Sequence, residues 1–149
     1  MKVFSMKMIK NIFTLFVVFL FVSACASQGF NADIEIQCDN FYQNPHQTGS
    51  LEVSVGEEFT VNLCSNASTG FQWIDVVDIS DSAIVEQVSH KYISPTEKGD
   101  PPPPGTPGSQ LWNFNALTGG TSILSFNYSR DWEGGEKGEW TLDLTVTIK

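Results

Sequence analysis

Apolar side chains return at every second position in short stretches of this chain: Val53/Val55, Phe59/Val61/Leu63, Trp112/Phe114 and Leu142/Leu144/Val146/Ile148. Successive strand side chains point to opposite faces, so this alternation predicts sheets with one buried and one wetted surface. No stretch shows convincing helical spacing. The pattern predicts strands near Ile34–Cys38, Leu51–Val55, Phe59–Cys64, Gln72–Val77, Ile84–Tyr92, Gln110–Leu117, Ser122–Ser129 and Trp140–Ile148. About seven or eight such strands imply an all-β fold, an immunoglobulin-like antiparallel β-sandwich. Trp73, Trp112 and Trp140 fall at inward-compatible strand positions and read as core.

The gaps between strands differ in kind. Asn44–Gly49, Val55–Glu58 and Thr118–Thr121 read as turns, rich in Gly, Asn and Pro. Three others are longer or odder: Ser65–Phe71, Ser94–Ser109 and Arg130–Gly138. The second holds four consecutive prolines, Pro101–Pro104, which fix φ and stiffen the chain before Gly105-Thr106-Pro107-Gly108. In the third, Trp132 sits among Asp131, Glu133, Gly134, Gly135 and Glu136, a polar, turn-like setting that argues for an exposed tryptophan. Arg130 has two readings, a surface ion pair with Asp131 or Glu133, or a bond to a partner.

The N-terminus departs from the sandwich pattern. Lys2, Lys7 and Lys10 precede an apolar run from Ile12 to Val22 and then Val22-Ser23-Ala24-Cys25. The run is short for a membrane span, which needs about 20 residues, and its order is that of an export signal. Residues 1–24 are therefore assigned to a signal peptide. The order Val-Ser-Ala-Cys resembles the bacterial lipobox, which implies lipidation of Cys25, a tether over residues 25–31 and a folded domain over 32–149. An ordinary secretory signal with Cys25 as a free thiol is the other reading. Ala26 after the cysteine resembles the sorting signal for an outer membrane, so the expectation is an exported, lipid-anchored protein of the bacterial cell envelope.

Charge then narrows the partners. Eight basic and 17 acidic residues give a net charge of −9, and loss of the three signal lysines takes it to −12. Such a surface repels phosphate backbones and anionic lipid, which argues against nucleic acid and favours a neutral or basic protein partner. Two cysteines remain in the domain, Cys38 and Cys64, bridged or left as two buried thiols. With no CxxC spacing and only His46 and His90 as histidines, neither a metal site nor a cofactor is expected. No Ser, His and Asp set stands out by motif, so an enzyme is not expected either.

Four segments carry a resemblance to a known family. The pair of apolar runs Leu51–Leu63 leads into Asn66-Ala67-Ser68-Thr69-Gly70-Phe71 and then Trp73. Gly105-Thr106-Pro107-Gly108-Ser109 precedes Trp112-Asn113-Phe114, and Tyr128-Ser129 leads into Arg130-Asp131-Trp132. In order and spacing, residues 50 to 149 resemble the chagasin-like inhibitors of cysteine peptidases. Where that family has Asn-Pro-Thr-Thr-Gly, Gly-x-Gly-Gly and Arg-Pro-Trp, this chain departs at Ala67, Pro107 and Asp131. The resemblance implies a monomeric, reversible, competitive inhibitor of papain-like cysteine proteases, with three end loops filling the active-site cleft. It implies that Asn66–Phe71 enters nearest the protease's catalytic pair, with Thr69 and Gly70 approaching by their backbone. The loops holding Gly105, Thr106, Pro107 and Gly108 and holding Arg130, Asp131 and Trp132 would clamp either side. A rival from another class is a lipid-anchored binding or adhesion module, because sandwiches host many functions.

Overall fold

The computed structural model describes residues 32–95 and 102–149. The signal peptide, Cys25, the tether and Pro101 lie outside the described residues. Within them the strands are β1 (Ala32–Ile36), β2 (His46–Val53), β3 (Glu58–Ser65), β4 (Gln72–Trp73), β5 (Asp78–Ile79), β6 (Val85–Ile93), β7 (Gly108–Ala116), β8 (Gly120–Ser129) and β9 (Trp140–Ile148), with one short helix, α1 (Cys38–Gln43).

They form the expected two-sheet sandwich. One sheet runs β1-β3-β7-β6 and the other β2-β9-β8-β4, with β5 also paired to β8. The alternation seen in the sequence is the core: Phe59, Val61 and Leu63 of β3 and Trp112 and Phe114 of β7 pack across the interior from Leu124 and Phe126 of β8 and Leu142, Leu144, Val146 and Ile148 of β9, all buried. Trp73, Trp112 and Trp140 are buried as well.

Several expectations need correction. The sandwich is not wholly antiparallel, since β1 pairs parallel with β3 and β2 parallel with β9. The stretch from His46 to Gly49 is not a turn but the first half of β2, held residue for residue against Thr141–Leu144. Its side chains are mostly exposed, so no alternation marks it; the β9 ladder sets its conformation instead. Val55 lies past the end of β2 and is exposed, whereas Val53 is buried. The expected strand over Gln72–Val77 splits, because the chain leaves the sheet after Trp73, exposes Ile74 and Val76, and rejoins β8 at Asp78.

Cys38 opens α1 rather than ending a strand. This helix is too short to show periodicity, yet it buries Cys38 and Phe41, an i, i+3 pair on one face. Asn40 Oδ1 accepts from the Gln37 backbone N–H at 3.1 Å, which closes its first turn. Cys38 is disulfide-bonded to Cys64 near the end of β3, with Cα atoms 5.1 Å apart. Phe41 then enters an aromatic column: it stacks on Trp140 at 5.0 Å, and Trp140 stacks on Tyr128 at 4.7 Å. That column leads to the loop end described next.

Candidate functional site

The long gaps join β3 to β4, β6 to β7 and β8 to β9, and at one end of the sandwich they touch. Asn66–Phe71 lies in the middle. Asn66 folds this loop locally: its Oδ1 accepts from the Ser68 backbone N–H at 3.2 Å and the Ser68 hydroxyl at 2.7 Å. Its carbonyl accepts from the Thr69 hydroxyl at 2.7 Å. The result is a single 3-10 turn over Ala67–Thr69, closed by Gly70 in the left-handed region at φ 78°. A residue with a Cβ is disfavoured there, so the glycine follows from the turn. Ala67, Ser68, Thr69 and Gly70 are all exposed.

Below, the loop rests on the aromatic column. The Tyr128 hydroxyl, on a buried side chain of β8, accepts from the Asn66 backbone N–H at 2.9 Å, and the Tyr128 ring stacks on Phe71 at 5.5 Å. The indole N–H of Trp73 donates to the Cys64 carbonyl at 2.8 Å, fixing the strand end that launches the loop.

On one side the loop meets the β6–β7 connection. Asn66 Nδ2 donates to the Gly105 carbonyl at 3.1 Å. Pro103 to Thr106 form a turn closed by a Thr106 N–H to Pro103 carbonyl bond of 3.1 Å, with Pro104 second and Gly105 third at φ 86°. Proline followed by a left-handed glycine suits a type II turn, so these residues set the shape directly. Thr106 and Pro107 are exposed with Gly105. Gly108 belongs elsewhere: it is the first residue of β7, paired with Ser65, and a Cβ there would run into the Ile93 carbonyl and the Tyr92 hydroxyl. Its glycine is required by packing within the sheet rather than by the loop tip.

On the other side lies the β8–β9 connection. Trp132 is 53% exposed. Its ring covers Gly70 so closely that a Cβ on Gly70 would sit 2.9 Å from Cη2. Arg130 lies between the two loops: Nη2 donates to the Thr69 carbonyl at 3.3 Å, and the guanidinium sits 4.3 Å over the Phe71 ring and 5.7 Å from that of Trp132. Its ion-pair partner is neither Asp131 nor Glu133 but Glu136, at 2.7 Å. The connection folds back on itself, with the Arg130 N–H bonded to the Glu136 carbonyl, and this brings Glu136 alongside. Asp131 is exposed and lines a flanking depression of about 390 Å³ with Lys137, Ile74 and Val76.

The three segments singled out in the sequence thus form one contiguous ridge, Gly105–Thr106 to Asn66–Phe71 to Arg130–Trp132. Sequence reasoning missed Tyr128 and Glu136. Tyr128 gave a signal, an aromatic at an inward position of a strand directly before the loop; Glu136 gave none. The histidines lie apart from the ridge: His46 contacts Thr141 Oγ1 at 3.1 Å, and His90 stacks on Trp112 and meets Gln110 Oε1 at 2.9 Å.

Residues 52–146 match the family model described as Chagasin family peptidase inhibitor I42. Chagasin of Trypanosoma cruzi is 30% identical over 91 residues, which cover 60% of this chain and 79% of chagasin. The fold is similar to that of the cysteine protease inhibitor EhICP2 from Entamoeba histolytica, with a TM-score of 0.59 and 20% identity, covering 80% of this chain and 98% of that one. It is also similar to PbICP-C, solved in complex with falcipain-2, with a TM-score of 0.58 and 18% identity over 80% of this chain and the whole of that one.

Proposed function

The chain belongs to the chagasin family of peptidase inhibitors, proteins that inhibit rather than catalyse, and from this premise we propose that it blocks papain-like cysteine proteases reversibly and competitively with the ridge just described. One observation carries the reading: three loops from three strand connections are joined into one exposed ridge, by the Asn66–Gly105 hydrogen bond on one side and, on the other, by the Arg130–Thr69 hydrogen bond and the packing of Trp132 over Gly70. A ridge of this kind, held on rigid strands, suits a cleft. Two relatives point to the target class, since EhICP2 is described as a cysteine protease inhibitor and PbICP-C was solved with falcipain-2.

In this proposal Thr69 and Gly70 approach the catalytic cysteine and histidine by their backbone. Ala67 and Ser68 shape the exposed turn, Gly105 and Thr106 meet one wall of the cleft, and Trp132 meets the other. Trp132 is the expected hot spot, because a large aromatic ring gains contact area at small entropic cost. No step forms or breaks a covalent bond. We also propose, from the lipobox-like Val22-Ser23-Ala24-Cys25, that the mature chain begins at a lipidated Cys25 and acts as a monomer at the surface of the cell envelope, the outer membrane where one is present. Replacing Cys25 with alanine should then move the protein from the membrane fraction to the soluble fraction.

The cleft itself can be tested with papain whose catalytic cysteine carries a bulky peptidyl label. Calorimetry should show binding to open papain and none to the labelled enzyme. Equal binding to both would place the contact outside the cleft, and binding to neither would favour the adhesion module.

A further inference from the structure

The guanidinium of Arg130 is already committed within the molecule. Nη1 is paired with Glu136 and Nη2 with the Thr69 carbonyl, while Nε is shut off from solvent with no acceptor within reach. One face of the group lies on the Phe71 ring and Trp132 stands nearby, so the side chain is only 33% exposed. A fork used in this way has little left to offer a partner. It does hold three things that the ridge needs in register: the Thr69 carbonyl at the crest of the middle loop, the Phe71 ring at its end, and the Trp132 ring over Gly70.

We propose that Arg130 and Glu136 are positioning residues of the inhibitory ridge: Glu136 fixes the guanidinium, and the guanidinium locks the Thr69–Phe71 crest to Trp132 before any protease arrives. This rests on the inhibitory reading above and gives Arg130 a role other than contact with the partner. Loss of such a lock lowers the fraction of molecules whose ridge is ready to bind, so the apparent affinity falls by that fraction.

Glu136→Gln separates the two roles. It leaves Arg130 in place and removes only its anchor, so a contact-making Arg130 would be freed and bind as well or better. The first readout is amide hydrogen exchange in the free full-length protein, held in detergent. The Thr69 and Gly70 amides, bonded to the Asn66 and Ala67 carbonyls at 3.1 and 3.2 Å, should exchange about three- to fivefold faster in Glu136→Gln, the range of a surface ion pair. The second readout is inhibition of papain, expected to weaken measurably and by at most the same factor, with thermal unfolding unchanged. Glu136→Gln should add nothing to Arg130→Ala, and Glu133→Gln, which removes the same charge from the same connection, should have a far smaller effect. Unchanged exchange at Thr69 and Gly70 overturns the proposal whether or not the protein inhibits papain. Faster exchange with undiminished inhibition overturns it too, since the lock would then not serve binding. If the wild-type protein failed to inhibit, the proposed function would fall, and the exchange data alone would still decide whether the pair holds the loop.

Discussion

At Gly70 two demands fall on one residue. The turn needs a left-handed φ of 78°, and the Trp132 ring occupies the space a Cβ would fill. Gly70→Ala should therefore weaken protease inhibition by more than tenfold while costing only about 1–2 kcal/mol of stability, a split read by comparing inhibition constants with chemical denaturation. Trp132→Ala should likewise weaken inhibition at least tenfold, as expected for a hot-spot aromatic, and leave the melting temperature nearly unchanged because the ring is half exposed. Gly108→Ala should do the reverse. It would force a Cβ into the Ile93 carbonyl and the Tyr92 hydroxyl and lower stability by about 2–3 kcal/mol. The exposure of Trp132 was legible from its polar, glycine-rich surroundings, and the core roles of Trp73, Trp112 and Trp140 from their alternation. The partner of Arg130 was not. Proximity in sequence favoured Asp131 and Glu133, but the connection folds back and presents Glu136 instead.

Among the elements, those with a strong apolar alternation were legible, and those held by neighbours were not. β3, β7, β8 and β9 bury every second side chain and could be placed within a residue or two. The first half of β2 buries almost nothing, and α1 buries only Cys38 and Phe41, so neither leaves a periodic trace. Yet α1 matters to the ridge. Its Cys38 is tied to Cys64, immediately before the strand end that leads to Asn66, and its Phe41 stacks under Trp140 and Tyr128. Replacing both cysteines with serine should lower stability by about 3 kcal/mol in the loop-closure view, seen as a melting temperature roughly 10 °C lower. Phe41→Ala should cost about 3–5 kcal/mol. Tyr128→Phe keeps the stack and removes the hydroxyl that accepts from the Asn66 N–H and donates to the Asn66 carbonyl at 3.4 Å, so it should loosen the middle loop with a smaller loss of about 1 kcal/mol.

For the molecule as a whole, the net negative charge, −9 for the full sequence and −12 without the three signal lysines, sets how partners arrive rather than how the domain folds. Association with a basic protease should slow as salt rises past about 0.15 M, where the screening length is near 8 Å, while dissociation stays nearly constant; stopped-flow mixing at several salt concentrations reads both. That three separate gaps become one ridge was legible from the sandwich architecture, whose alternate loops gather at one end, and from family resemblance, but not from alternation alone. Alternation can count strands, but it cannot say which ends meet, and two edge pairings proved parallel. The most direct test of the central claim is titration of the purified protein against papain and a cathepsin-L-like protease with a fluorogenic substrate, with trypsin alongside. Inhibition of both cysteine enzymes that substrate relieves competitively, with trypsin untouched, is the predicted result; full activity of both cysteine enzymes at micromolar concentrations of a folded protein would contradict it.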